Sequence, residues 1–335
     1  MTDHSHMRLG KKAARRDRRT LQAKKYLLTP AGALPAPQPA IDWLSAVPAF
    51  PMYGNDVHGD CAIAAIGHMV QVWTANVARI GTRDSGLGPP TPSEDEILRV
   101  YQTLSPDDDG CVLLEVLNYW RQNRICGVQL GAYAQVNPND RDEVKVCLEI
   151  FGGLYAGAQL PLAAQKQDVW ETPPAPRQAE RGAPAFLQFS LSAREGASSV
   201  LDCAVPVCSN EGASSVLDCA GPVCSKPGAT SVLDLPDPVS RPQAVASDLD
   251  TRAGLDFYAP GSWGGHCIPF GKYDANTVRG VTWGAVKDAT WPWLLEYVDE
   301  LYALISPDWL DGKGKTPEGL DLEALRADLK EVTSE

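Results

Sequence analysis

A single cysteine separates a polar, turn-rich segment from a long apolar run in the stretch "YGNDVHGDCAIAAIGHM", residues 53–69. Cys61 follows Gly59 and Asp60, and the run after it predicts a helix that is buried on most faces and ends near Ile80. The unsatisfied N–H groups in the first turn of a helix favour a thiolate. The position therefore suits a cysteine nucleophile, and the alternative is a buried cysteine that serves as a small apolar side chain.

Three histidines could act as the base that such a nucleophile requires. His58 lies in the loop three residues before Cys61, and His68 would lie two helical turns below the thiol. His266, in "GSWGGHCIPF", begins an apolar run that predicts a strand, and the preceding Gly265 allows another backbone to approach closely. Because strand histidines are often structural, this pattern alone leaves the role of His266 open.

The order of these residues resembles the papain-like cysteine peptidases. That family has "VDW", a glutamine, and Gly-Ser-Cys at the head of a central helix, then a Gly-His strand and Asn-Ser-Trp-Gly. Here "IDW" (41–43) precedes Cys61, and "TWG" begins sixteen residues after His266. The segments "DDGCVLLEVLNYWRQNRICG" and "EVKVCLEIFGGLYAGAQLPLA" are similar to two further blocks, so the resemblance covers residues 41–171 and 258–305.

The resemblance implies a role for each matching residue. Cys61 would be the nucleophile and His266 the base, and Trp283 would match the tryptophan that shields the orienting hydrogen bond of the base. Asn55 would replace the family's glutamine, whose amide donates to the oxyanion beside the cysteine N–H. The wall of the site would also include Gly59, Asp60 and Gly265.

Three departures from the family pattern bear on activity. The orienting asparagine is missing: counting along the motif puts Val281 or Thr282 there, and only Thr282 can accept a hydrogen bond from the imidazole. Asp60 suits a helix N-cap, but its negative charge would oppose ionisation of Cys61. Ala62 replaces a tryptophan of the family's cleft wall.

Helical patterns early and strand patterns late predict an α+β fold rather than alternating βαβ units. The resemblance implies a papain-like arrangement, in which a central nucleophile helix packs against an antiparallel sheet or barrel subdomain that carries a repeat insertion. We expect five segments in order: a basic arm with a proline-rich linker, a helical half with the nucleophile, a low-complexity insertion, a strand half with the histidine, and an acidic tail. Their predicted bounds are 1–40, 41–171, 172–257, 258–310 and 311–335.

The predicted insertion contains three copies of a sixteen-residue unit, at 196–243, the first reading "GASSVLDCAVPVCSNE". The third copy lacks the two cysteines that the first two share, so the unit does not require them. The copies could form a small solenoid or an exposed loop, and we expect the loop. Either could cap the site or recruit a partner protein.

The first 25 residues are strongly basic, with nine Lys or Arg against two Asp, although the whole chain has a net charge of −12. Residues 8–25 could contact nucleic acid or another acidic surface, or the arm could be a solvated tail that docks on its own acidic body. Only about forty residues precede "IDW", so we do not expect the family's long inhibitory pro-segment.

Composition excludes several classes of protein. No apolar run is long enough for a membrane span, and no secretion signal opens the chain, so we expect a cytoplasmic protein, or a virion-associated one if the source is viral. Nine cysteines without a C-x-x-C pair do not indicate structural zinc, and we expect no metal or cofactor.

The functional prediction is a thiol hydrolase of the cysteine peptidase type, bacterial or bacteriophage in origin. It would cleave a peptide, amide or ester carbonyl of a peptide or protein substrate through an acyl-enzyme. The alternative is a papain-like scaffold, catalytically weak or inactive, that serves as a structural or interaction component, for example of a phage particle.

Overall fold

The structure is a computed structural model of the 335-residue chain. It describes residues 3–27, 34–80, 91–174 and 257–306 together with Trp309, without the side chains of residues 77–80. All of these residues belong to one compact unit. The three predicted repeats, most of the predicted insertion and the predicted acidic tail lie outside the described residues.

The helices of the described part follow the apolar periodicity of the sequence. The predicted helix at Cys61 is confirmed, and so are those near Ser93, over 112–123 and over 144–151. Short 3-10 turns lie at Leu44–Ala46 and Leu162–Gln165. The helix bounds are α1 Ala23–Leu27, α2 Cys61–Ile80, α3 Glu94–Leu104, α4 Leu113–Gln122, α5 Arg141–Phe151 and α6 Trp291–Tyr297.

Within the described residues, nine strands form one mixed sheet. Their bounds are β1 Leu21–Gln22, β2 Ile41–Asp42, β3 Ala132–Gln135, β4 Leu154–Leu160, β5 Val169–Trp170, β6 Gly264–Tyr273, β7 Thr277–Thr282, β8 Ala285–Thr290 and β9 Val298–Ile305. The strand order is β1-β3-β9-β4-β6-β7-β8-β5, and β2 pairs with β6 beside this path. The pairs β1–β3 and β5–β8 are parallel, and the other pairs are antiparallel.

Helix α2 is central because partners cover it on several sides. It packs on β6 and β7 of the sheet and also against α3 and α4. Its side chains from Cys61 to Trp73 are buried, as the apolar run predicted. The Tyr155 hydroxyl of β4 donates to the Ala62 carbonyl at 2.8 Å and ties the first turn of α2 to the sheet. The predicted mixture of helices and a multi-stranded sheet is thus confirmed.

The predicted strand "VRGVTWGAV" divides into β7 and β8, which are joined by a tight turn. Trp283 and Gly284 form this turn with φ of 48° and 71°. A left-handed conformation is unusual for tryptophan, so the surrounding packing has to hold it there. The consequence is that the Trp283 ring lies against His266 of β6. None of the described helices combines the length and apolar character that a membrane crossing requires.

Candidate active site

Cys61 begins α2 and is only 1% exposed. Burial raises the pKa of its thiol to about 12, although the backbone N–H groups of Cys267 and Gly10 interact with the sulfur and oppose that rise. The expectation of an ionised thiol at the helix end is therefore wrong for this conformation, because desolvation outweighs the favourable N–H groups.

The two ring nitrogens of His266 differ in their surroundings. Nε2 lies 2.6 Å from Thr282 Oγ1, while Nδ1 is buried and has no hydrogen-bond partner among the described residues. The ring stacks on Trp283 with centroids 4.6 Å apart. Burial lowers the pKa of His266 to about 3, so the imidazole is neutral. Of the two residues that sequence counting left open, Thr282 is the one that reaches the imidazole.

Cys61 lies next to the strand that carries His266. The Cys61 sulfur interacts with the N–H of Cys267, the residue directly after His266 in β6. Helix α2 packs on that same strand. A neutral imidazole whose Nε2–H is donated to Thr282 would present Nδ1 as a proton acceptor. His266 and Thr282 therefore form a hydrogen-bonded pair on the strands beside Cys61, and no hydrogen bond joins the thiol to the imidazole among the described residues.

Asn55 lies in the loop before α2 and is 3% exposed. Its amide Nδ2 donates to the His58 carbonyl at 3.3 Å, so in this conformation the side chain is engaged within its own loop. This bond is long, and the amide would have to turn toward a substrate oxygen to serve as an oxyanion donor. The role of Asn55 therefore stays a prediction.

Asp60 differs from the expectation in two ways. Its backbone carbonyl accepts from the Ile63 and Ala64 N–H groups, but within the described part of the chain neither carboxyl oxygen has a partner with hydrogen-bond geometry, so the side chain does not cap α2. Burial raises its pKa to about 8, although the nearby Asn55 amide opposes the rise. Asp60 is therefore mostly protonated at neutral pH, but where it is ionised its charge raises the pKa of Cys61, as the sequence predicted.

Asp108, which no pattern in the sequence singled out, organises the loop before Cys61. Its carboxylate accepts from the Gly59 N–H at 2.9 Å and the Tyr101 hydroxyl at 2.7 Å, and His58 Nδ1 lies 3.3 Å away. Burial opposes ionisation, but these hydrogen bonds together lower the pKa of Asp108. His58 is thereby engaged with a carboxylate, which leaves His266 as the candidate base.

The N-terminal residues 3–12, called the arm below, cross the candidate site. Lys11 N–H donates to the Gly265 carbonyl at 3.0 Å. On the other side, Cys111 N–H donates to the Gly10 carbonyl at 2.7 Å and Lys12 N–H donates to the Cys111 carbonyl at 2.9 Å. The arm is therefore held like a strand between the residue before His266 and the loop before α4, and it covers the thiol.

Glycines allow this close backbone approach. A Cβ added at Gly10 would collide with the Gly59 carbonyl, and one added at Gly265 would collide with the Lys11 carbonyl. A Cβ at Gly110 would likewise collide with the Gly10 carbonyl. The close approach of a backbone to Gly265 agrees with the prediction from the sequence. The approaching backbone, which was not predicted, is the N-terminal segment of this same chain.

The arm also covers Trp283. The His4 ring stacks on the indole with centroids 5.1 Å apart, and the indole Nε1 donates to the Arg8 carbonyl at 3.5 Å. His4 N–H donates to the Gln165 carbonyl at 2.8 Å, which anchors the beginning of the arm. The wall predicted at Trp283 is therefore in contact with residues 4–8 instead of solvent.

Ion pairs attach the basic N-terminal region to acidic groups of the body. Besides Lys11, four basic residues of the described part make such pairs: Arg8 with Asp108, Lys12 with Asp109, Arg15 with Glu115, and Lys24 with Asp140. This agrees with the alternative in which the region docks on its own acidic body. Contact of residues 8–25 with nucleic acid stays a prediction. Within the part of the chain that the structure describes, no three His, Cys, Asp or Glu side chains cluster to hold a metal.

No protein-family model matches the sequence, and no curated protein matches it. Among solved structures, the chain is similar to the crystal structure of Xylellain, a cysteine protease from Xylella fastidiosa. The identity is 11%, 91% of this chain and 98% of that chain are covered, and the TM-score is 0.48. Since these values are too low to establish a shared activity, any function has to be supported by the site itself.

Proposed function

We propose that the protein is a papain-like cysteine peptidase whose nucleophile is Cys61 and whose base is His266. The observation that carries this proposal is the state of His266: Nε2 lies 2.6 Å from Thr282 Oγ1, and the buried Nδ1 has no partner among the described residues. An unpartnered buried nitrogen is costly, and in this tautomer it is an acceptor that the Cys61 thiol, which is not hydrogen-bonded to it in this conformation, would have to approach for catalysis. The substrate class is a peptide or protein.

The reaction would proceed through an acyl-enzyme. His266 Nδ1 takes the Cys61 proton, and the thiolate attacks the carbonyl carbon of the substrate. The imidazolium then gives its proton to the leaving amine, and water, deprotonated by the same ring, hydrolyses the thioester. Thr282 accepts the Nε2 hydrogen throughout and keeps the ring oriented. The Cys61 N–H and the Asn55 amide would donate to the oxyanion.

The conformation with the arm in place is latent. Burial raises the pKa of Cys61 to about 12 and lowers that of His266 to about 3, so the thiol and imidazole stay neutral. Departure of the arm would admit water to both groups, and their pKa values would move toward the ordinary range. The ion pair that attacks the substrate would then become accessible.

The arm itself is not positioned as a substrate. The Gly10 N–H interacts with the Cys61 sulfur, and the Gly10 carbonyl accepts from Cys111. A substrate has to present a carbonyl carbon to the sulfur and its oxygen to the oxyanion donors. An amide N–H at the sulfur cannot be attacked, so the arm can cover the thiol without being cleaved.

The inactive scaffold is the second candidate, and the buried, neutral Cys61 and His266 are the observation that favours it. In that case the arm would be a permanent part of the fold. The two candidates differ in one respect: a peptidase must gain a reactive Cys61 when the arm is displaced, and a scaffold need not.

The test displaces the arm by Lys11→Glu, which places a third carboxylate beside Asp299 and Glu300. The matched control is Lys12→Glu, since Lys12 pairs with Asp109 and is 42% exposed. We expect iodoacetamide at neutral pH to modify Cys61 at least about 10-fold faster in Lys11→Glu than in the control, as read by peptide mass mapping. Buried Cys147 serves as the internal reference.

Peptide cleavage by the same variants distinguishes the peptidase from the inactive scaffold. Lys11→Glu should cleave members of a peptide library, and adding Cys61→Ser should abolish that cleavage. If Lys11→Glu cleaves nothing and Cys61 reacts no faster than Cys147, the peptidase proposal is wrong and the scaffold is favoured.

A further inference from the structure

The side chain of Lys11 enters the body of the protein beside the candidate site. Its Nζ lies 2.9 Å from Asp299 Oδ2 and 3.1 Å from Glu300 Oε1, and the side chain has no solvent exposure. It also donates to the Lys12 carbonyl at 3.3 Å. A buried ammonium is tolerated only where opposite charges and acceptors offset its desolvation. The contact is therefore a built binding site for a basic side chain.

Gly157 of β4 makes room for the stem of the lysine. A Cβ at this position would collide with Lys11 Cε and with Glu300 Cγ. In the sheet, Gly157 pairs with Cys267 of β6 on one side and with Glu300 of β9 on the other. Side chains of directly paired residues lie on the same face of a sheet. The acidic pocket, defined by Gly157, Asp299 and Glu300, is therefore on the face that carries Cys267.

The candidate nucleophile lies beside Cys267. The Cys267 N–H interacts with the Cys61 sulfur, and so does the N–H of Gly10, the residue before Lys11. Lys11 N–H donates to the Gly265 carbonyl, next to His266. A chain that crosses the site thus places one side chain in the acidic pocket while its neighbouring residue lies at the thiol.

The pocket's carboxylates are held in place without the lysine. Gln159 Nε2 donates to Asp299 Oδ2 at 2.8 Å, and the Tyr302 hydroxyl donates to Glu300 Oε2 at 2.9 Å. Glu300 is 3% exposed, and burial raises its pKa while Lys11 opposes that rise. When the arm leaves, the pocket keeps two oriented acidic groups and loses the cation that paired with them, a state that favours binding of another cation.

We propose that the acidic pocket is a substrate subsite that selects a basic side chain, lysine or arginine, and that Lys11 occupies it in the latent protein. This inference rests on the proposed function, because it names the substrate class of the same site. The preferred substrates are peptides with a basic residue adjacent to the segment that lies over Cys61. Glu300 and Asp299 determine the specificity by charge, and Gly157 does so by leaving space.

The first measurement does not require catalysis. The full chain carrying Lys11→Glu and Cys61→Ala is titrated into a fluorescein-labelled peptide, "DHSHMRLGKKAA", and binding is followed by anisotropy. Versions of the peptide carry arginine, glutamine or glutamate instead of the lysine that corresponds to Lys11. We expect the basic peptides to bind at least about 10-fold more tightly than the glutamine peptide, and Glu300→Gln to remove most of this difference. If Lys11→Glu does not fold by circular dichroism, Lys11→Ser takes its place.

The second measurement is cleavage of a peptide library by Lys11→Glu with Cys61 intact. Both proposals are supported if the cleaved peptides are enriched in lysine or arginine at one position and if Glu300→Gln loses this enrichment while it still cleaves neutral peptides. Cleavage without any basic preference, together with equal binding of all four peptides, overturns the subsite and leaves the peptidase. Selective binding of the basic peptides without cleavage supports the pocket and overturns the peptidase. Absence of both binding selectivity and cleavage overturns both.

Discussion

At the scale of single residues, the chemistry depends on how His266 is held. In the papain-like pattern an asparagine orients the imidazole, whereas here the hydroxyl of Thr282 lies 2.6 Å from Nε2. The threonine side chain is shorter than that of asparagine, and its hydroxyl rotates more freely than an amide. However, Trp283 stacks on the imidazole of His266 and restricts rotation of that ring. Orientation is therefore divided between one hydrogen bond and one ring contact.

Replacing Thr282 with valine in the Lys11→Glu background should lower kcat/KM at least about 10-fold, because the base loses the acceptor that fixes its tautomer, and positioned general bases contribute about 10²–10⁴-fold. Thr282→Ser keeps the hydroxyl and should stay within about 3-fold of the parent. The measurement is the pH profile of kcat/KM on a cleaved peptide, where Thr282→Val should also shift the limb that reports the imidazole. An unchanged rate and profile in Thr282→Val would assign the orientation to Trp283 alone.

The sequence predicted some of these residues and missed others for identifiable reasons. Cys61 could be named because a thiol at a helix start is a local pattern, whereas His266 was one of three candidate histidines and was selected by the resemblance to the papain-like peptidases. Asp108 was missed because two of its three partners, the consecutive residues His58 and Gly59, are about fifty residues away in the sequence, and no motif links them to Asp108. The protonation of Asp60 was missed because it follows from burial, which the residue type does not reveal.

At the scale of elements, the glycines around the arm leave the space that its backbone occupies. Helices α2 to α5 were predicted because apolar periodicity is a local property of each segment. The position of the arm was not predicted, since residues 3–12 are polar and basic and their backbone partners, Gly265 and Cys111, are distant in sequence. The arm is held by backbone hydrogen bonding across glycines and by the buried ion pairs of Lys11, and neither has a periodic signal in the sequence.

Substituting Gly10 with alanine should displace the arm, because the added Cβ would collide with the Gly59 carbonyl and backbone cannot move aside cheaply. We expect the amides of Lys11 and Lys12 to lose at least about 10-fold of their protection in hydrogen exchange measured by mass spectrometry. Ala13→Ser, at an exposed position directly after the arm, is the control and should leave protection unchanged. Full protection in Gly10→Ala would mean that Gly10 is not required for docking of the arm.

At the scale of the whole molecule, the described residues form one unit whose core is shared by the sheet and α2. Burial in this core places several ionisable groups in states that differ from their ordinary ones. The pKa of His266 and that of His68 are lowered by burial, to about 3 and about 4, so both favour stability as pH rises through their ordinary range. Asp60 acts in the opposite direction at higher pH.

Asp60 should make the whole protein less stable as pH rises from 6.5 to 8. Its pKa is about 8 in the folded protein and near 3.8 when unfolded, so the folded state binds one more proton between these values. Linkage then lowers the free energy of unfolding by about 1.4 kcal/mol per pH unit below the folded pKa, or about 1.5 kcal/mol over this interval. The two buried histidines act in the opposite direction, because in the unfolded chain they are half protonated at pH 6.5. Together they raise the free energy of unfolding by about 0.8 kcal/mol over the interval, so the contribution of Asp60 has to be isolated by comparison with a variant.

The measurement is urea denaturation of the wild type and of Asp60→Asn at pH 6.5 and pH 8. The asparagine side chain has nearly the same shape but does not titrate, so the unfolding free energy of Asp60→Asn should change about 1.5 kcal/mol less than that of the wild type over the interval. Asp107→Asn, an exposed position in the neighbouring loop, should follow the wild type. Equal pH dependence in Asp60→Asn and the wild type would show that the Asp60 carboxyl is already ionised in the folded protein. Its charge would then oppose the Cys61 thiolate after all, and activity would require a conformation in which the loop before α2 moves away.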